Sequence, residues 1–270
     1  MISPSARVFA EAGVELWLTP PLAEIRLLDH DNHNRMVPPF QAAAEHAFRE
    51  ATRFPRTRVV LVTGLSTAFC AGAAPEELLA ENGAAISDAF SFIRCPLMCP
   101  LPVVSAVSGP AVGGGFLFAL YTDLPVLNQH ASYAANFMSY GFVPAMGAAQ
   151  LLTTKLGYLL GTEMLFTGRP YRGAELHARV PGLSVVPAAQ VEETARHTAL
   201  RIARAPRRSL ELLKSRMAKP LRQTSDNTKE EELAGLQETL RNPEVRARIN
   251  RLYAQQWRGM HVGPTSDSSP

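Results

Sequence analysis

Cysteine is scarce. The 270-residue chain has three, Cys70, Cys95 and Cys99, an odd number in which the last two are not a CxxC and enclose Pro96. No Cys-His cluster with zinc spacing accompanies them, so a metal or redox site is disfavoured and free structural thiols in a reducing cytoplasm are expected. Charge of one sign is also lacking. The net charge is +3, and no Lys/Arg block concentrates it, which argues against a nucleic-acid binder. No apolar run approaches the roughly 20 residues that span a bilayer, and MISPSARVFAEAG has no basic-then-apolar signal pattern, so the expectation is a cytoplasmic protein without a membrane partner. HDNH, at His30 to His33, could ligate a metal, but no partner ligands are identifiable.

What is present is apolar bulk: 46% hydrophobic and 19% charged residues, enough for one large core or a core with a helical appendage. VELWLT and AEIRLLD read as strands separated by Pro20 and Pro21. PPFQAAAEHAFREATRF reads as a helix opened by prolines, whose missing N–H costs nothing there. RVVLVTG and PVVSAVSG are continuous apolar runs of strand length, the pattern of buried parallel strands. A helix start, AAPEELLAEN, follows the first, and GGGFLFALYTD follows the second. DLPVLN and ASYAAN are short strand-like pieces. From MGAAQLLTTKLGYLLGTEMLFTG onward the chain is mostly helical, through VEETARHTALRIARA, SLELLKSRM, KEEELAGLQETLRN and PEVRARINRLYAQQW. Strands and helices alternate first and helices accumulate last, which predicts an α/β core with a helical C-terminal segment. GPTSDSSP reads as a disordered tail.

Two strand ends run through small residues straight into a helix: AFCAGAAPEELL at Ala68 to Leu79, and SGPAVGGGFLFAL after it. A helix that starts at a strand end presents free N–H groups and a positive dipole end, and glycine or alanine lets a ligand oxygen approach them. Two such ends on adjacent strands could aim two donors at one point, the geometry of an oxyanion hole. Gly113 to Gly115 could equally permit tight packing or bind a phosphate. The run does not follow GxGxxG or GxxxxGK[ST], which disfavours a nucleotide loop.

AFCAGAAPEEL after RVVLVTG, then LPVVSAVSGPAVGGGFLFAL, then YGFVPAMGAAQLL with EMLFTGR behind it resemble the crotonase (enoyl-CoA hydratase/isomerase) superfamily from about residue 15 to 252. The resemblance implies an α/β fold, the crotonase (ClpP-like) spiral of ββα units with a helical C-terminal region. In this chain that would be a spiral core over 1–200, a helical trimerisation or lid region over 201–260 and a disordered tail over 261–270. It further implies a homotrimer or dimer of trimers, no cofactor, and an oxyanion hole for an acyl-thioester carbonyl. By motif position the two backbone donors would be Ala73 and Gly114. A typical hydratase has glutamates three residues after that middle glycine and four before the glycine matching Gly141. Here these are Leu117 and Phe137, which cannot move a proton, so ordinary hydration is not expected. The aspartate that usually follows AGA is replaced by Ala74.

YAANFMSYGFVPAMGA, LGTEMLFTGRPYRGAEL and LSVVP resemble more specifically the crotonase-like decarboxylases of polyketide β-branching cassettes. The implied substrate is a 3-methylglutaconyl-type thioester on an acyl carrier protein, with a CoA thioester as the alternative carrier. Losing CO₂ leaves a dienolate whose charge Ala73 and Gly114 would stabilise. That branch typically has a lysine beyond AGA and a C-terminal histidine. Here no lysine precedes Lys155, and no histidine lies between His197 and His261. Glu77 and Glu81 are four apart and would share one helix face, and Glu81 falls near the expected lysine. One of them, protonated by desolvation and mutual repulsion, could donate to the substrate carboxylate or supply the proton; the alternative is a solvated, dipole-matched helix start.

Asn136 and Tyr140 are candidates to orient a carboxylate or a water. Phe69, Ala71, Phe137, Met138 and Phe142 are read as pocket wall or core. Arg172 is a candidate for the phosphopantetheine phosphate, or structural. The basic stretch from Arg201 to Lys219 could dock an acidic carrier or be a solvated helix face. Three functions stay open: this decarboxylase, a dehydratase or double-bond isomerase with Glu77 or Glu81 as base, and a non-catalytic binding protein.

Overall fold

Of the 270 residues, the structure, a computed structural model, describes 5–80 and 84–260, with side chains excepted at 84–89 and 254–260. Glu81 and the expected tail at 261–270 lie outside the described residues.

Two apolar runs expected as buried strands, β4 (Val59–Thr63) and β5 (Val103–Val107), are buried at every residue and lie side by side in parallel. They centre a seven-stranded sheet. On one side β4 pairs in parallel with β3 (Leu22–Leu27), which turns through Pro20 and Pro21 into antiparallel β2 (Val14–Thr19) and then β1 (Ala6–Glu11). On the other side, β5 is followed in parallel by β7 (Leu124–Asn128) and β10 (Ser184–Val186). β1 has no apolar repeat to announce it. ARVFAE is exposed except at Phe9, whose ring meets His46 at 4.8 Å, as an edge strand allows.

A smaller sheet holds β6 (Ala111–Val112), β8 (Ser132–Ala134) and β9 (Tyr171–Arg172), with Cys70 bridged in parallel to Ala111. Between the sheets and around them lie α1 (Pro38–Arg53), α2 (Pro75–Leu79), α3 (Ala84–Met98) and α4 (Gly114–Tyr121). All eight residues of α4 are buried, so it is a core helix with no polar face. The chain continues through α5 (Phe137–Tyr140), α6 (Ala148–Leu156), α7 (Tyr158–Thr167), α8 (Gly173–Arg179) and α9 (Val191–Ile202). The helical stretch from Met146 is broken where Gly157 takes φ +83°, between α6 and α7.

SLELLKSRM and KEEELAGLQETLRN are one helix, α10 (Arg207–Arg241), which runs through Pro220. Proline removes one rung of the ladder. The helix continues because Leu210, Lys214 and Ala218 before it and Ser225, Leu236 and Leu240 after it all bury on the body of the protein. α11 (Pro243–Met260) then packs against α2 and α5. The larger core fills the space between α1, α3, α4 and the sheets, and a second cluster joins α9 to the opposite face of β4, β5 and β7.

Buried charges tie these layers together. Glu24 of β3, 2% exposed, accepts from Arg196 of α9 at 2.9 Å and from Arg26 at 3.1 Å. Lys214 is 3% exposed and donates to both Asp123 oxygens, at 2.8 and 2.7 Å, and to the Pro96 carbonyl. The basic stretch is therefore not one solvated face. Lys214 is interior, and Arg207 is spent on the carbonyls of Thr52, Phe54 and Thr57, while Arg201, Arg204, Arg208, Arg216 and Lys219 remain exposed. Among the described residues no helix is long and apolar enough to cross a membrane.

Candidate active site

The AGA loop leaves its strand through Gly72 at φ +81°, where a Cβ would stand 2.7 Å from the Val112 carbonyl oxygen and 3.9 Å from the Gly114 nitrogen. Only glycine permits that approach, and it lays the loop against the junction of β6 and α4. Phe69 N donates to Pro110 O at 2.8 Å and Val112 N to Cys70 O at 3.2 Å, fixing the two segments in register.

A third segment clamps the loop from the other side. Asn34, 0% exposed and at φ +53°, donates its amide to the carbonyls of Leu27, Ala68 and Phe69 at 3.0, 3.2 and 3.1 Å. Ala71 N donates to His33 O at 3.2 Å, and Met36 N to Gly72 O at 2.9 Å. The HDNHNRM segment thus serves through Asn34 and the backbone. Among the described residues no group of three or more His, Cys, Asp or Glu is placed to hold a metal ion.

Gly113 caps α4 with φ +55°, and its carbonyl accepts from Phe116 and Leu117. Gly114 is the first helical residue, where an N–H has no intrahelical partner. Among the described residues, neither the Gly114 N–H nor the Ala73 N–H has a hydrogen-bond acceptor in the protein, and both residues line one cavity. Its free space is about 50 Å³, a few waters at roughly 10–15 Å³ each. A larger cavity of about 490 Å³ lies elsewhere, around Lys155, Leu213 and Met217 of α6 and α10, away from both donors.

Ala71, Glu77, Asn136, Phe137, Tyr140 and Phe142 line the same cavity as Ala73 and Gly114. Phe69 does not: it is fully buried and stacks on Phe118 with centroids 6.1 Å apart. Met138 is half-buried outside the lining, and Arg172 is exposed, donating to the His130 carbonyl at 2.6 Å. Leu117 is wholly in the core, whereas Phe137 forms wall, edge-on to Phe142. The side-chain Oδ1 of Asn136 lies 3.2 Å from where a Cβ on Gly113 would be, and its amide makes no hydrogen bond among the described residues.

Met36, Leu78, Val112, Met146, Leu236 and Tyr253 also line it and were not legible as site residues. Tyr253 comes from α11, 180 residues beyond Ala73, and donates its hydroxyl to the Ala73 carbonyl at 2.7 Å. It stacks on Tyr140 at 5.1 Å, and Tyr140 stacks on Phe142 at 6.0 Å. Desolvation pushes the Tyr140 hydroxyl up to about 12, and Tyr253 rises for the same reason, so both stay neutral donors. Arg35, half-buried beside Tyr253 and Glu76, is held below the usual guanidinium value by desolvation. Burial likewise pushes the thiols of Cys70 and Cys99 up, to about 12 and about 11. They are poor nucleophiles.

The chain that carries this cavity belongs to a known family: residues 20–256 match the enoyl-CoA hydratase/isomerase family. Among curated relatives it is similar to the bacillaene synthase decarboxylase PksI of Bacillus subtilis (strain 168), 33% identical over 86% of this chain and 94% of that protein. Among solved structures it is similar to one from a dehydratase/decarboxylase enzyme couple involved in polyketide β-branching, at 31% identity and TM-score 0.87, covering 93% of this chain and all of that one. The ECH2 decarboxylase domain of CurF from Lyngbya majuscula is also similar, at 31% identity and TM-score 0.81, covering 89% and 99%.

Proposed function

We propose that the protein decarboxylates a 3-methylglutaconyl-type thioester, carried on an acyl carrier protein or on CoA, to a methyl-branched enoyl thioester in polyketide β-branching. The observation that carries this reading is the pair of donors without an acceptor among the described residues, Ala73 N–H and Gly114 N–H, in a cavity where one hydratase acid–base position is the wall residue Phe137 and the other, Leu117, is closed in the core. Such a site holds an oxyanion well and moves a proton on or off water poorly. Decarboxylation asks for the former. The bond to the carboxylate breaks, its electrons pass through the conjugated alkene to the thioester oxygen, and the resulting dienolate is held by the two N–H groups. Each such donor is worth roughly a hundred- to a thousandfold in kcat.

Protonation at carbon then completes the reaction. Glu77, on the cavity wall, is the proton source, with Glu81 as its companion; Asn136 and Tyr140 are neutral donors that orient the departing carboxylate. Ala71, Phe137 and Phe142 shape the acyl channel, and Phe69 supports it from the core. Residues 1–200 form the core, and 201–260 cover the site and join subunits as a homotrimer or dimer of trimers in the cytoplasm. A subunit contact is also supported within 1–200 by exposed Tyr158, Leu159 and Phe166 on α7, each more than 70% accessible.

A second reading, a dehydratase or isomerase, is favoured by the same Glu77 if it works ionised, as a base. Glu77→Gln separates them. General-base catalysis loses roughly a hundred- to ten-thousandfold without its base, whereas CO₂ release precedes the proton transfer and in a single turnover is expected to stay within about tenfold, with protonation of the dienolate slowed instead. CO₂ release from the glutaconyl thioester, with no water added to or removed from the corresponding enoyl and 3-hydroxyacyl thioesters, is the expected outcome. Water addition without CO₂ would overturn the proposal.

A further inference from the structure

The donor at Ala73 sits on a loop of small residues, and such a loop does not hold an N–H in one direction by itself. Its near side is fixed by the backbone bonds of Ala71 to His33 and of Gly72 to Met36. Its far side is fixed from the other end of the chain. The Ala73 carbonyl accepts the Tyr253 hydroxyl at 2.7 Å, and Arg246, two turns earlier on α11, donates to the Leu79 carbonyl at 2.9 Å at the end of α2. α11 thus grips the loop-and-helix unit at both ends. Tyr253 is in turn held by its stack on Tyr140, and its neutral hydroxyl has no competing ionised form at physiological pH.

We propose that Tyr253 is a positioning residue of the oxyanion hole: the planar peptide that carries the Ala73 N–H is held through its Gly72 carbonyl by the Met36 N–H, and Tyr253, by fixing the Ala73 carbonyl, holds the next peptide and so keeps the Ala73 backbone from turning between them, while its ring closes the cavity beside Tyr140. This rests on the reading of Ala73 and Gly114 as the donors. It makes the C-terminal helix part of the catalytic machinery of its own chain. The effect is expected in the transition state, where the oxyanion is fully charged, more than in substrate binding.

The test uses the full chain and the 3-methylglutaconyl carrier thioester. Tyr253→Phe keeps the ring and its stack and removes only the hydroxyl. The expected result is a kcat about tenfold lower, the size of one lost hydrogen bond, with KM unchanged, the fold retained with a small drop in melting temperature, and faster amide exchange in the segment 71–80. Combined with Gly114→Pro, the losses should fall short of their product, because both act on one hole. A Tyr253→Phe enzyme with wild-type kcat and unchanged exchange, or one altered only in KM, overturns the proposal while the oxyanion hole stands if Gly114→Pro is inactive. Full activity in a folded Gly114→Pro removes the hole itself, and this proposal with it.

Discussion

At the scale of the residue, Gly114→Pro and Gly114→Ala differ in one N–H and should behave differently. An added Cβ at Gly114 would stand 2.6 Å from Met36 Cε and 2.7 Å from Ile93 Cδ1, both ends of flexible side chains that can give way. Alanine therefore keeps the donor at the cost of modest repacking, and its kcat should stay within about tenfold. Proline meets the same neighbours and loses the donor, so its kcat should fall by roughly a hundredfold or more. Steady-state rates on the two variants, each checked for folding by circular dichroism, decide it. Equal losses would mean that shape and not the N–H matters. The same scale explains why small residues are required here: Gly72 and Gly115 leave no room for a side chain, because a Cβ would collide with the Val112 and Cys70 carbonyls, and Gly113 takes φ +55°, which favours glycine.

At the scale of the element, the site is a junction of three segments distant in sequence, and Asn34 is the pin between them. Asn34→Ala would leave three interior carbonyls without their donor. A loss of about 1–3 kcal/mol in stability is expected, read as a lower urea midpoint with an unchanged slope. A midpoint equal to wild type would show that water replaces the amide. This is also where the sequence reaches its limit. The two strand-to-helix junctions were legible because apolar runs ending in small residues carry a local signature, whereas the choice of Ala73 and Gly114 within them came from the family resemblance, by motif position. β1 was not, because an exposed edge strand needs no apolar repeat, nor was the continuity of α10, because Pro220 reads as a stop unless burial on both sides of it is known. Asn34 and Tyr253 act through backbone carbonyls far away in the chain, and nothing local marks such residues. Arg172, singled out from its motif, turned out to bond the His130 carbonyl at the surface.

At the scale of the whole molecule, buried charge holds the layers in place and should make stability depend on pH. Burial tends to raise the Glu24 carboxyl, but the bonds from Arg196 and then Arg26 outweigh it and hold it below its ordinary value of 4.5. A group lowered in the folded state stabilises above its unfolded pKa and ceases to do so as pH falls through the folded one. Glu24→Gln should therefore be less stable than wild type at pH 7, and the two should converge under acid. A constant difference across pH would assign the effect to packing. The account proposed is of a chain of the enoyl-CoA hydratase/isomerase family whose Ala73 and Gly114 N–H groups form an anion-binding hole without the hydratase acid–base pair, with Leu236 of α10 and Tyr253 of α11 lining the same cavity. Its central claim is that this hole serves loss of CO₂. The most direct test is intact-protein mass spectrometry of an acyl carrier protein bearing 3-methylglutaconate, incubated with the enzyme. The account predicts that the acyl group loses the mass of one CO₂ with wild type and not with Gly114→Pro. An unchanged acyl mass with wild type, or a loss or gain of water instead, would contradict it.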